Sequence, residues 1–253
     1  MGNDDDPSSI LPACSGMNNQ STTSSSSSNQ SHYIHKSKHH DRYLLNELAA
    51  LRLDEQLCDV VLLAGHTRIP AHRVVLSACS LYFRAMFMSD LKESRLSEIR
   101  MVDIEGRTLQ QLINFCYSGE IKITETSVQS LLPAACLLQM SEIQDACCEF
   151  LEKNLDPTNC LGIRAFADTH SCRELVRMAD LYTQKNFQEV TASDEFLQLL
   201  LDQLLSLISS DELNVGSEEQ VYEAAIRWIR YDLPNRRQNL SKVRLFEEIK
   251  YTT

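Results

Sequence analysis

Two hydrophobic rhythms divide this chain, and the division constrains its fold more than any other feature. Between Cys58 and Ile104 the apolar runs are short and either continuous or alternating, as in strands. From Ser127 to Tyr231 apolar residues recur three and four apart, as on one face of a helix. Cys58-Asp59-Val60-Val61-Leu62-Leu63 is β-branched and aliphatic, Gly65-His66 turns the chain, and Thr67-Arg68-Ile69 reads as the partner strand, stopped by Pro70. Two short helices follow, Arg73 to Ala78 and then Leu81 to Phe87 with Ser80 as its N-cap. Glu98 to Ile104 alternates with period two and reads as a third strand. Thr108 caps a helix through Cys116, and Gly119 ends it. The later segments begin at Ser127, Glu142, Thr158, Ser171, Asp194 and Ser217. Pro133 is expected to bend the first of them or delay its start. Asp156-Pro157 reads as the break between domains. The fold class is thus an α+β unit, a short β-sheet flanked by helices, followed by an all-α unit. The boundaries are a tail at 1–40, the mixed unit at 41–155 and the helical unit at 156–253.

The tail is a different material. The run Ser21-Thr22-Thr23-Ser24-Ser25-Ser26-Ser27-Ser28 has no apolar period with which to offset its ordering entropy, and disorder is expected. His32, His35, His39 and His40 cluster near its end, but no thiol or carboxylate joins them at fixed spacing, so they read as a polar segment. Order begins near Asp41, where Leu44, Leu45, Leu48 and Leu51 make an amphipathic helix. A helix of this length is marginal alone and needs a partner, which the residues leave open between its own domain and a second copy of the chain.

Composition removes several function classes. A net charge of -11 over 253 residues repels phosphate backbones and anionic membrane surfaces. The longest greasy stretch, Phe196 to Ile208, is interrupted by Gln198, Asp202 and Gln203 and is too short to span a bilayer. No cationic start with an apolar run marks a secretory signal. The nine cysteines are odd in number and form no C-x-x-C pair, which fits reduced, packed thiols better than a disulfide framework or a zinc site. No glycine-rich phosphate loop, G-x-S-x-G elbow or H-E-x-x-H pair occurs. His72 and Cys79, the nearest approach to a nucleophilic pair, are seven apart with no third orienting group. His170-Ser171-Cys172 reads as a loop and helix start, and Glu218-Glu219 as carboxylates at the positive end of a helix dipole. No catalytic residue, cofactor or metal site is expected, and the chain is read as a cytoplasmic non-enzyme.

Ala71-His72-Arg73-Val74-Val75-Leu76-Ser77-Ala78-Cys79-Ser80-Leu81-Tyr82-Phe83-Arg84-Ala85-Met86-Phe87 resembles the BTB (POZ) domain of Kelch-like proteins. Cys58-Asp59-Val60-Val61-Leu62 resembles that domain's opening and Phe115-Cys116-Tyr117-Ser118-Gly119 its close. Asp156-Pro157-Thr158-Asn159-Cys160-Leu161-Gly162-Ile163-Arg164-Ala165-Phe166-Ala167-Asp168 resembles the start of a BACK domain, and the combination is similar to the Diablo-type branch. The resemblance implies an adaptor of a cullin-RING E3 ubiquitin ligase that homodimerises and binds the third cullin. It assigns the dimer interface to Leu44, Leu48 and Leu51 of the first helix and to a charged pocket of Asp59 and Arg73. It assigns cullin contact to Leu91 and Glu93, in Leu91-Lys92-Glu93, with the aromatics Tyr82 and Tyr117 lining the same surface. The implied partners are that cullin, a second copy and other Kelch-like proteins, with no nucleic acid or membrane. The resemblance fades after Trp228-Ile229-Arg230-Tyr231, so an incomplete BACK domain without Kelch repeats is expected. The helices after about Asp211 are then expected to pack poorly and exchange amide protons fast. Two alternatives are a BTB transcriptional regulator, which would need zinc-finger spacing or a basic tail, and an actin-organising Kelch-like protein, which would need the propeller.

Overall fold

The computed structural model describes residues 33–89, 95–210 and 212–240. Residues 1–38 and 39–253 are two units, and the described part of the first, 33–38, carries no helix or strand. The second opens with α1 (His40–Leu53), β1 (Val60–Ala64), β2 (Thr67–Ala71), α2 (Arg73–Cys79), α3 (Leu81–Met88), β3 (Glu98–Arg100), α4 (Gly106–Ser118), α5 (Glu125–Leu137) and α6 (Ser141–Lys153). It continues with α7 (Cys160–Thr169), α8 (Arg173–Lys185), α9 (Phe187–Val190), α10 (Asp194–Leu197), α11 (Leu201–Ile208), α12 (Glu218–Tyr231) and α13 (Leu233–Arg236).

The sheet has the order β2-β1-β3, with β1 antiparallel to β2 and parallel to β3. Val60, Leu62 and Ala64 point into the core while Val61 and Leu63 are half-buried, the alternation of a strand covered mainly on one face. Pro70 does not stop β2, as expected, but pairs with Val61 inside it. The reason is that β2 is an edge strand, where a residue without an N–H breaks no ladder bond on its open side. The third strand is shorter than its alternation implies: beyond Arg100 the Met101 N–H still reaches the Leu63 carbonyl at 2.8 Å, but Asp103 takes φ +65° and turns the chain away.

Ser80 caps α3 as expected, accepting the Phe83 N–H at 3.1 Å, and its hydroxyl also donates to the Leu138 carbonyl at 2.6 Å. One side chain thus joins the start of α3 to the end of α5. Ser80→Ala is expected to lower stability by about 1–2 kcal/mol through the lost cap and the carbonyl left without its donor. A urea midpoint equal to that of the parent chain would refute this. Gly119 ends α4 in the left-handed region at φ +67°, its N–H on the Phe115 carbonyl. Thr108 is not the cap of α4; it is the third residue of the helix, buried, and donates to Ser130 Oγ at 3.1 Å, while Glu105 occupies the N-cap position. Pro133 neither delays nor interrupts α5, which runs from Glu125 under a reciprocal Thr124–Ser127 capping box. Its missing N–H strands the carbonyl of Gln129, an exposed residue where water can take the place of the donor. The turn before α7 is held by Asp156, which accepts from the Thr158 N–H and hydroxyl, bonds that keep its carboxyl below the usual range.

Two hydrophobic cores result. The first gathers the sheet, α2 to α6 and the inward residues Ala167, Cys172 and Leu175 of the α7–α8 hairpin. The second gathers Cys160, Leu161, Phe187, Phe196, Leu204 and Trp228. The α7–α8 hairpin therefore contributes to both, so the break at Asp156-Pro157 divides the sequence but not the packing. The expectation of poorly packed final helices is corrected by α12. Trp228 is 2% exposed, donates from Nε1 to the Leu199 carbonyl at 2.9 Å, and carries the Arg236 guanidinium 3.9 Å over its ring. Arg236 Nη1 donates in turn to the carbonyls of Leu197 and Trp228, each at 2.8 Å, so α10, α12 and α13 close on one another.

Candidate protein-interaction surface

The first helix buries none of its residues fully. Leu48 and Ala49 pack partly against the first core, Leu51 is half-buried, and Leu44 is 50% exposed. Tyr43 and Leu53 are exposed beside them. The helix is held less by its leucines than by Arg52. That side chain donates from Nε to the Pro70 carbonyl at 2.9 Å and from Nη1 to Asn114 Oδ1 at 3.1 Å, and lies 4.8 Å over the Tyr117 ring. One arginine thus ties α1 to β2 and α4 while Tyr43 and Leu44 of α1 stay exposed.

Beneath Arg52 lies a buried network. Tyr117 is 2% exposed, and its hydroxyl oxygen accepts the His72 backbone N–H at 2.9 Å. The same hydroxyl sits 3.0 Å from His72 Nδ1, and His72 Nε2 sits 3.0 Å from the Gln56 carbonyl. A carbonyl can only accept, so Nε2 carries the proton and the Tyr117 O–H donates to Nδ1. Burial pushes the Tyr117 hydroxyl up to about 12, which keeps that donor in place. His72 is therefore engaged with Gln56, Tyr117 and, at 3.8 Å, the Cys58 sulfur; it is not the partner of Cys79.

Asp59 and Arg73 do come together. Asp59 Oδ1 accepts the Arg73 backbone N–H at 2.8 Å at the start of α2, and the Arg73 guanidinium donates to the carbonyls of Asp59 and Leu96 and lies 4.8 Å over the Phe87 ring. Asp59 is exposed, so within one chain the pair is a helix-start cap at the surface, not a buried charge. Tyr82 is half-buried on α3, edge-on to Phe83 with ring centres 5.6 Å apart, and its neighbours Leu81 and Met88 are exposed. Tyr117 departs from its expected role, because its ring and hydroxyl face inward and it lines no accessible surface. Leu91 and Glu93 lie outside the described residues.

Sequence reasoning overlooked Arg52 and Gln56 and weighed His72 only as a nucleophile's base. Nothing in the spacing announces them, because the contacts of Arg52 with Pro70 and Asn114 span 18 and 62 residues. In the second half of the chain, α7, α8 and α11 enclose a cavity of about 500 Å³ whose wall includes the Arg164–Asp180 pair, 2.7 Å apart. Among the described residues no helix is long and apolar enough to cross a membrane.

A three-stranded sheet wrapped by helices is thus continued by a helical hairpin that shares its core. Residues 48–155 match the family model of the BTB/POZ domain, and residues 160–252 match that described as BTB And C-terminal Kelch, the BACK domain. The second match runs past Asp232, where the resemblance in the residue pattern had ended. The chain carries a BTB/POZ domain followed by a BACK domain, an arrangement consistent with the BTB–BACK proteins of the Kelch-like type. Among solved structures it is similar to the BTB domain of zebrafish PATZ1, at 29% identity over 49% of this chain and 100% of that one, with a TM-score of 0.45. BTB domains mediate dimerisation and protein interactions, and BTB–BACK pairs are typically non-catalytic adaptor domains.

Proposed function

We propose that this chain is a non-catalytic adaptor of a cullin-RING E3 ubiquitin ligase, acting in the cytoplasm as a homodimer that holds the third cullin. The observation that carries the reading is the BTB domain followed directly by a BACK domain in one chain. Tyr43 and Leu44, adjacent and exposed on a helix anchored by Arg52, support dimerisation. An apolar helix face held rigidly by its own domain loses little conformational freedom when a second copy covers it. Asp59 and Arg73 join that interface, where their exposed cap becomes desolvated by the partner chain. Cullin contact belongs to Tyr82 with exposed Leu81 and Met88, and to Leu91 and Glu93, an apolar anchor beside a carboxylate that accepts hydrogen bonds.

Calorimetric titration of the full chain into the N-terminal domain of the third cullin tests the proposal, with a Leu91→Ala, Glu93→Ala double variant alongside. The expected result is saturable binding at one cullin per chain, abolished in the double variant. A well-folded sample that gives no heat, or a double variant that binds as the parent does, would sink the reading.

A further inference from the structure

Two hydrogen bonds fix the elements around the cavity of about 500 Å³ between α7, α8 and α11. Glu195 Oε2 of α10 accepts the Gly162 N–H of α7 at 2.9 Å, and a Cβ at residue 162 would collide with that carboxylate. Gln184 Nε2 of α8 donates to Ser210 Oγ, just past the end of α11, at 3.1 Å. Between these ties Asp202, Gln203 and Ser206 of α11 line the space, and among the described residues none of them bonds to Arg164 or Asp180 across it.

Both signs of charge meet there. Arg164 gives Asp180 only its Nε, at 2.7 Å, and its two Nη groups have no acceptor among the described residues. Asp202 has no hydrogen-bond or ionic partner among them either. The Arg164 and Asp180 side chains are 37% and 42% exposed, so the cavity opens to solvent on their side. Leu161, Ala165, Leu199 and Leu207 supply an apolar wall. We propose that this cavity binds a free α-amino acid with an aliphatic side chain. Its carboxylate takes the Nη edge of Arg164, its ammonium takes Asp202, and its side chain lies among Leu161, Leu199 and Leu207. The site is independent of the cullin reading.

The pattern of charge selects the class of ligand. A guanidinium presents a fork of N–H donors that a carboxylate accepts two bonds at a time. A simple anion would meet that fork but also Asp180 and Asp202, in a chain whose net charge of -11 repels it. A simple cation would meet Asp202 and leave the fork without an acceptor. A zwitterion satisfies both and adds no net charge. Ser206, one turn along α11 from Asp202, adds a hydroxyl that accepts from the ammonium. The volume lies within the roughly 300–1,000 Å³ of small-molecule sites. A charged side chain would be set against hydrocarbon at the leucines, so an aliphatic one fits the wall. Leu199 also links the cavity to a reporter, because its carbonyl accepts the Trp228 Nε1–H at 2.9 Å.

The test is calorimetric titration of the full chain with leucine, followed in parallel by Trp228 emission. Saturable binding at one leucine per chain is expected, with an emission change over the same concentrations. Leucinamide lacks the carboxylate and stands in for a peptide N-terminus; N-acetyl-leucine lacks the ammonium and stands in for a peptide C-terminus. Each is expected to bind at least about tenfold more weakly than leucine, the worth of one hydrogen bond to a charged group. Arg164→Gln and Asp202→Asn should each weaken leucine by a similar factor while leaving the urea midpoint near that of the parent, since partly exposed charges contribute little to stability. A folded chain that gives neither heat nor emission change with leucine would overturn the proposal. So would either analogue binding as tightly as leucine, which would assign the cavity to a peptide terminus, or leucine binding indifferent to either substitution.

Discussion

Replacing Phe196 by alanine is expected to destabilise the second core by about 3–5 kcal/mol, the cost of removing a buried phenyl ring from a site that cannot collapse around the void. Phe196 has no exposed surface and meets Phe187 edge-on with ring centres 6.4 Å apart. Its helix, α10, has only four residues, starts under a Ser193 cap that accepts the Phe196 N–H at 3.2 Å, and meets α7 where Glu195 Oε2 accepts the Gly162 N–H at 2.9 Å. The segment also supplies the Leu197 carbonyl to Arg236 and the Leu199 carbonyl to Trp228. Loosening it therefore loosens α12 and α13 together. Trp228 is the single tryptophan of the chain, so its fluorescence reports this core selectively. The expected result is a fluorescence transition displaced to lower urea in Phe196→Ala. A displacement worth less than about 1 kcal/mol would mean that the site repacks and that the second core does not depend on α10.

Much of this organisation was legible in the residues, and the misses share a cause. Local signals carried through: the 58–71 hairpin, the Ser80 cap and the Gly119 stop each depend on residues within a few positions of one another. Pro70 and Pro133 were misjudged because what a proline costs depends on whether the lost partner faces water, which is a property of the sheet edge and the helix surface. Thr108 was misjudged because a hydroxyl can serve Ser130 across a helix pair as well as cap its own helix. The packing of α12 was hidden for the same reason, since Arg236 reaches a carbonyl 39 residues away. At the candidate surface the leucines of α1 were visible from their spacing, whereas Arg52, which holds them there, was one arginine among many until Pro70, Asn114 and Tyr117 converged on it. Tyr117 shows the limit of carrying a role across by resemblance: an aromatic expected on a surface is buried and bonded to His72 instead.

That interior role of Tyr117 leads to an expected pH dependence. Its hydroxyl is held up to about 12 in the folded chain, against about 10 for a tyrosine in an unfolded one. Below pH 10 both states keep the proton and the full contribution to stability is present. Between pH 10 and 12 the unfolded chain releases the proton while the folded chain retains it, so stability falls as pH rises, by about 2–3 kcal/mol from this group. Tyr117→Phe removes the titration and the bonds together. At pH 7 it leaves the buried His72 N–H without an acceptor and Nδ1 without a donor, which is expected to cost about 2–4 kcal/mol. The Arg52 guanidinium still finds an aromatic face in the variant, so α1 keeps its anchor and the loss is confined to the network beneath. The gap between parent and variant should therefore be widest at neutral pH and narrow as pH climbs from 10 to 12. Urea midpoints of both proteins at pH 7, 9 and 11 measure that gap. A gap that stays constant across the three would mean that the Tyr117 hydroxyl is not the group whose proton the fold retains, and the His72 network would then contribute to stability by shape alone.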